Sequence, residues 1–104
     1  QARAALGLYE RALRVHPGDP AGASALYGLG RLQADPASAV RNYRAAQRAF
    51  SRLLAEYPNS RWEAEARAWR AVVGDLLAHQ EEASRLKTQI EQLRRTDLDL
   101  ERRR

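Results

Sequence analysis

The sequence predicts an all-α protein, and three observations support that class. Residues that favour helices, namely alanine, leucine, arginine and glutamate, are abundant, while β-branched residues are few. Glycine and proline are sparse, at 6 and 4 residues in 104. Apolar residues recur at the i, i+3, i+4, i+7 spacing of amphipathic helices. The few prolines divide this pattern into four helices.

The first helix is predicted over residues 2–15 and ends before the turn His16-Pro17-Gly18. Its main apolar face contains Tyr9, but Leu8 and Val15 lie on the opposite side. A helix that is apolar on two sides is normally sandwiched between neighbours. We therefore expect a further helix, from upstream sequence or another chain, to cover Leu8 and Val15.

The second helix is predicted over residues 20–33, because Asp19-Pro20 combines a favourable N-cap with proline at the first helical position. Asp35-Pro36 repeats that signal and predicts a third helix that extends to Tyr57. The third helix has an apolar face that comprises Val40, Tyr43, Ala46, Phe50, Leu53, Leu54 and Tyr57.

The opposite face of the third helix carries four arginine residues, namely Arg41, Arg44, Arg48 and Arg52. Such a stripe is usually a solvated face, but binding to nucleic-acid phosphates remains an alternative.

The fourth helix follows a break at Pro58, where Ser60 and Glu63 have the spacing of a capping box. Residues 61–104 contain no proline and only Gly74 as a glycine. A helix of this length extends roughly 60 Å, which is longer than a small domain can cover. We therefore predict a helical body over residues 1–77 and a long projecting C-terminal helix whose extension, residues 78–104, forms a coiled coil.

A helix, proline turn and helix unit occurs twice, at a displacement of 41 residues. A period in this range is typical of helical solenoids. The matching positions pair Ala5 with Ala46, Tyr9 with Phe50, and Pro17 with Pro58.

The segments AALGLYERALRVHP and AAQRAFSRLLAEYP resemble the second helix of a tetratricopeptide repeat. The family pattern of small, aromatic, small or apolar, and proline positions is met by Ala5, Tyr9, Ala12 and Pro17, and by Ala46, Phe50, Leu53 and Pro58. LYGLG at residues 26–30 resembles the first-helix pattern. The resemblance implies about two repeats of antiparallel helix pairs. The chain departs from the family in a period longer than about 34 residues and in Gln33, where an aromatic is expected.

The YPNS turn is similar to turns in bacterial envelope lipoproteins and assembly factors. The tail LKTQIEQLRRTDLDLERR resembles the coiled segment of outer-membrane lipoproteins that partner two-component sensor kinases. These resemblances imply a periplasmic scaffold, with any lipid anchor outside this segment; a cytosolic adaptor is the alternative. Since the sequence begins at Gln1 and contains no methionine, we expect it to be a segment of a longer protein.

The tetratricopeptide resemblance also implies a ligand groove. Its lining would be Ser24, Tyr27 and Arg31 from one repeat and Arg67 and Arg70 from the next. Arginine binds carboxylates through two hydrogen bonds, so an acidic peptide is the expected ligand. Ordinary surface arginines are the alternative interpretation.

The projecting helix carries a second candidate surface, a seam with the a/d spacing of coiled coils. The seam comprises Ala83, Leu86, Ile90, Leu93 and Leu100, interrupted by Asp97. It predicts pairing with another helix, either in a parallel homodimer or with a partner that offers a cation opposite Asp97. Upstream, Trp62, Trp69, Val72 and Leu76 share the register, and the helical body is expected to cover them.

Composition and motifs favour a protein without enzymatic activity, cofactor or metal. The formal net charge of +5 permits acidic partners, and the absence of cysteine removes disulfides and thiolate metal ligands. Asp75, His79 and Glu82 share a helix face, but three residues along one helix rarely converge on a single ion. The sequence has no phosphate-binding glycine loop and no context for a catalytic triad.

Overall fold

The computed structural model describes residues 1–15 and 20–104, and these contain four α-helices and no β-strand. The helices are α1 (Ala2–Val15), α2 (Pro20–Ala34), α3 (Tyr43–Glu56) and α4 (Glu63–Arg102). The all-α class and the four-helix division are confirmed. The predicted turn at residues 16–18 and the predicted N-cap at Asp19 lie outside the described residues.

The helices stack in chain order, α1 on α2, α2 on α3 and α3 on α4. Contacts along α3 show its direction relative to α4. Arg44, in the first turn of α3, reaches Glu81, whereas Phe50, six residues further on, stacks against Trp69. The two helices therefore run antiparallel. Such nearest-neighbour stacking is how helical repeat proteins bury their apolar faces.

The core lies on both sides of α3, whose Ala46, Phe50 and Leu53 are completely buried. Gly30 of α2 permits the close approach of the two helices, because a Cβ at this position would lie 2.6 Å from Cζ of Phe50. Cβ atoms in proteins essentially never lie this close to another heavy atom. Only glycine at residue 30 therefore accommodates the Phe50 ring at this depth.

The predicted start of the third helix at Asp35-Pro36 is wrong. The Asp35 carboxylate accepts a hydrogen bond from the Ala37 backbone N–H at 2.9 Å, and the Ser38 hydroxyl accepts one from the Val40 N–H at 3.2 Å. These local bonds stabilise turns in place of a helix. Val40 consequently lies in the connection and does not belong to the apolar face of α3.

The N-cap of α3 is Asn42, whose backbone is extended with φ −160° and ψ 96°. Its side-chain oxygen accepts a hydrogen bond from the Ala45 N–H at 3.0 Å, as N-cap residues do. Arg41 therefore also precedes the helix, and it is not part of a continuous arginine stripe on α3.

The predicted capping box at the start of α4 is not formed. The Ser60 hydroxyl accepts a hydrogen bond from the Trp62 N–H at 3.1 Å, which makes a turn, and the helix then begins at Glu63. The cap residue Trp62 makes no side-chain capping bond. Glu63 accepts a hydrogen bond from Arg67 instead of reaching back to the cap.

The long C-terminal helix is confirmed. α4 has 40 residues and makes the molecule 69 Å long but only 27 Å and 20 Å across. Its last salt bridge to α3 is at Glu81, and every residue from Ala83 onward is exposed. We call residues 83–102 the arm.

Replacing one buried polar group, the side chain of Gln33, should stabilise the fold. The side-chain oxygen of Gln33 is buried and has no hydrogen-bond partner in the described part of the chain. An unsatisfied buried polar atom costs about 1–3 kcal/mol. We expect Gln33→Leu to raise the free energy of unfolding by about 1 kcal/mol, measured by urea denaturation. The matched control is Gln89→Leu on the exposed arm, which should leave stability unchanged; a loss of stability in Gln33→Leu would contradict the prediction.

Candidate interaction surfaces

A groove runs over α2, with a volume of about 490 Å³. Its floor is formed by Ser24, Gly28 and Arg31 of α2. One wall is Tyr9 of α1, and the other is Trp62 at the start of α4. Three helices thus contribute to one concave surface, which we call the α2 groove.

Tyr27 supports the groove from below. Its ring stacks on Trp62, with centroids 4.2 Å apart and planes 12° apart, and it makes an edge-to-face contact with Phe50, with centroids 6.2 Å apart. The Trp62 indole N–H donates to the Ser24 hydroxyl at 3.0 Å. Since Tyr27 is only 9% exposed, it positions Trp62 and presents little of its own ring to a ligand.

Arg31 is held in place by two aromatic residues. Its guanidinium carbon lies 4.4 Å from the centroid of the Trp69 ring, a cation–π distance. One guanidinium N–H donates to the Tyr27 hydroxyl at 3.1 Å. Within the described residues no carboxylate pairs with Arg31. A guanidinium has five N–H donors, so most of them remain for a ligand while the side chain is already oriented.

The two predicted groove residues on α4 do not join this cluster. Arg67 donates to Glu63 of its own helix at 2.6 Å. It precedes Trp69 by two residues, or about 200° around the helix axis, so it lies on the side away from Arg31. Arg70 is exposed and forms no ion pair within the described part. The structure therefore brings together the three predicted residues of α2 but not those of α4.

The residues that replace them are Trp62 and Trp69, which sequence reasoning assigned only to packing. They are the sole tryptophans of the chain and lie seven residues apart, on one helix face. Both pack against the core while remaining partly exposed. Their spacing was a usable signal, but their contact with Arg31 and Tyr27 depends on how α4 docks on α2.

Two of the three arginine residues of α3 are paired within the chain, while Arg48 is exposed and forms no ion pair among the described residues. Arg44 pairs with Glu81 at 2.6 Å, and Arg52 pairs with Glu56 at 2.5 Å. Arg41 lies 5.8 Å from the centroid of the Tyr43 ring, outside the helix. Arginine residues that are paired with carboxylates, or that do not form a continuous row, are poorly suited to binding successive phosphates. These contacts therefore favour a solvated face over nucleic-acid binding.

The predicted seam lies in solvent. Leu86 is 49% exposed, Ile90 52%, Leu93 66% and Leu100 54%, and Ala83 is exposed as well. Large apolar side chains with this exposure, aligned along one helix, are typical of a surface that binds another helix.

The prediction that the helical body covers Val72 is wrong, because this residue is 49% exposed. The face of α4 that packs on α3 carries the completely buried Ala66 and Val73. Val72 lies about 100° from Val73 around the helix, outside that contact. One apolar residue in the register of the seam is therefore already exposed on the helical body, and His79 separates it from the apolar seam of the arm.

In the described residues, no group of three or more His, Cys, Asp or Glu side chains could hold a metal ion. Asp75 and His79 are exposed, and Glu82 pairs with Arg85. Among the described helices, none has the length and apolarity to cross a bilayer.

Compared with known proteins, the chain matches no family model, no curated protein and no solved structure.

Proposed function

We propose that this protein is a non-enzymatic protein-interaction scaffold that binds an acidic peptide segment in the α2 groove. The observation that carries the proposal is the state of Arg31. Its guanidinium is fixed by Trp69 and Tyr27 in the floor of the α2 groove, and no carboxylate of the described residues neutralises it. A peptide carboxylate would complete the missing ion pair.

The chemistry of the groove suits such a ligand. A carboxylate can accept two parallel hydrogen bonds from a guanidinium. The Tyr9 and Trp62 walls offer apolar and aromatic surface to neighbouring side chains of the same peptide. Because Arg31 is already oriented, binding loses less side-chain entropy than it would at a mobile arginine. The net charge of +5 also favours encounter with an acidic partner.

We further propose that the helices form a tetratricopeptide-like repeat. Chain-order stacking and the contact of Gly30 with Phe50 support this, because they join the positions that match the family's small and aromatic residues. The YPNS turn and the tail sequence support a periplasmic, outer-membrane lipoprotein setting beside an envelope signalling or assembly protein. A cytosolic adaptor would use the same groove. An upstream signal peptide that ends in a lipidated cysteine would distinguish the two.

Charge reversal at Arg31 tests the groove. The probe is a fluorescent peptide of alternating Glu and Leu with a free C-terminal carboxylate, titrated by fluorescence anisotropy. Hydrogen bonds to charged groups contribute about 1.5–3 kcal/mol, so we expect Arg31→Glu to weaken binding by about tenfold to 100-fold. Arg31→Lys retains the positive charge but cannot form the bidentate hydrogen bonds of a guanidinium, so it should lose part of the peptide affinity.

Arg67→Glu is the matched control, because it makes the same charge change on the other side of α4. It should alter peptide affinity by no more than about twofold, since surface charges away from a contact act weakly through screened solvent. Thermal unfolding followed by circular dichroism checks that all three variants remain folded. Unchanged binding by Arg31→Glu, or an equal loss in Arg67→Glu, would contradict the assignment of this groove.

A further inference from the structure

The end of the stack leaves one side of α4 without a neighbour. Helices α2 and α3 each pack between two others, while the main contact of α4 is with α3. That contact uses the face with Ala66 and Val73. The exposed apolar side chains lie on a different face, which starts at Val72 and reaches the arm.

These side chains keep one heptad register. Leu76, Ala83 and Ile90 occupy a positions, and Val72, Leu86 and Leu93 occupy d positions; the d position between Val72 and Leu86 is the exposed His79. A β-branched residue at a with leucine at d favours parallel two-stranded coiled coils, and the arm has this arrangement at Ile90 and its two leucine neighbours. We propose that α4 pairs with α4 of a second copy of this chain, in parallel and in register, over residues 76–93. The pairing is independent of the peptide function proposed for the α2 groove.

The charges beside the seam argue for a second copy in this orientation. In a parallel pair, each g residue faces the following e residue of the other helix. Glu82 then meets Lys87 of the second copy, and Gln89 meets Arg94, so one pair is attractive and the other is neutral. Lys87 and Arg94 have no ion pair in the described part of the single chain, whereas Glu82 pairs with Arg85 of its own helix and would exchange that partner for Lys87 or share its carboxylate between the two. In an antiparallel pair e residues face e residues of the other helix, so Lys87 would lie beside Arg94 or Lys87 of the second copy, and both contacts are repulsive.

Asp97 limits the length of the pairing. It follows Ile90 by seven residues, so it occupies an a position and would face its own copy. Two carboxylates in one core layer repel each other and lose hydration. The helices should therefore separate before Asp97, which leaves Leu93 as the last well-packed layer.

Sedimentation equilibrium of the whole chain over a range of concentrations tests the dimer. We expect Ile90→Asp to weaken it by roughly 100-fold or more, because the change removes a buried aliphatic layer from both copies. The matched control is Leu98→Asp, at a residue of similar exposure, 54% against 52%, but outside the seam at a b position. A native chain that remains monomeric at every concentration, or equal losses in both variants, would overturn the proposal.

Cysteine cross-linking tests the orientation, because the chain contains no cysteine. In a parallel pair the two copies of Leu86→Cys face each other and should form a disulfide-linked dimer rapidly on mild oxidation. Ser84→Cys, at an off-seam b position, should do so slowly. Equal rates at the two positions would overturn the parallel register.

Charge substitutions test the same register independently. Lys87→Glu should weaken the dimer by about threefold, and adding Glu82→Lys should restore it. Tighter association of Lys87→Glu alone would indicate antiparallel pairing and overturn the proposal. Asp97→Asn should tighten the dimer, since asparagine is compatible with an a position. Asp99→Asn, the same charge change away from the seam, should not.

Discussion

Phe50→Ala should lower the free energy of unfolding by about 3–5 kcal/mol, the largest effect that we expect from a single substitution. Phe50 is completely buried, and its ring contacts both helices that neighbour α3. It meets Tyr27 of α2 edge-on at 6.2 Å, stacks on Trp69 of α4 at 6.3 Å and lies against Gly30. Loss of the ring therefore loosens both neighbours of α3. Urea denaturation followed by far-ultraviolet circular dichroism measures the effect.

Gly30→Ala should show that the ring and the glycine act as a unit. Alone, it places a Cβ against a fully buried ring and should cost about 2 kcal/mol through overpacking. In the Phe50→Ala background the cavity accommodates the new methyl group, so the added cost should nearly vanish and the coupling should be about 2 kcal/mol. Gly7→Ala is the matched control, because a Cβ there would meet no atom within 4 Å apart from its chain neighbours and the nearby backbone of its own helix. It should stabilise α1 by about 1 kcal/mol. Additive effects of the two core substitutions would contradict this account.

Trp62→Ala should lower the free energy of unfolding by about 2–3 kcal/mol, less than for a completely buried tryptophan. The first turn of α4 has no side-chain N-cap bond. It is instead anchored by the stack of Trp62 on Tyr27 and by the indole bond to Ser24. Removal of the indole should also accelerate amide hydrogen exchange in the first turn of α4, because local opening then costs less.

Two further variants separate the stack from the hydrogen bond. Trp62→Phe retains an aromatic ring over Tyr27 and should recover most of the stability. Ser24→Ala removes the hydroxyl that accepts the indole N–H. Because this bond is exposed, a water molecule can accept the N–H instead, so the free energy of unfolding should fall by less than about 1 kcal/mol. If Ser24→Ala were as costly as Trp62→Ala, the hydrogen bond and not the aromatic stack would be the anchor.

Most helix boundaries could be predicted because their signals are local. Proline at residue 20 begins α2, the break at Pro58 ends α3, and the absence of proline afterwards permits the length of α4. The start of α3 could not be predicted in the same way. Asp35 and Asn42 are both residues that favour an N-cap, and the choice between them depends on which segment packs on α2 and α4. Asn42 caps the segment with the buried Ala46 and Phe50.

The same distinction between local sequence signals and helix packing applies to the two candidate sites. The seam of the arm was predictable because a heptad pattern belongs to one continuous helix, and its exposure follows from the length of that helix. The α2 groove was predictable only for the α2 residues, which share a helix with one another. The sequence by itself determined the division into four helices and the register of the seam, since both depend on neighbours along the chain. Only the tertiary structure decided that Trp62 covers Tyr27, that Trp69 orients Arg31 and that Val72 stays exposed, because these outcomes depend on the rotation and offset of one helix against another.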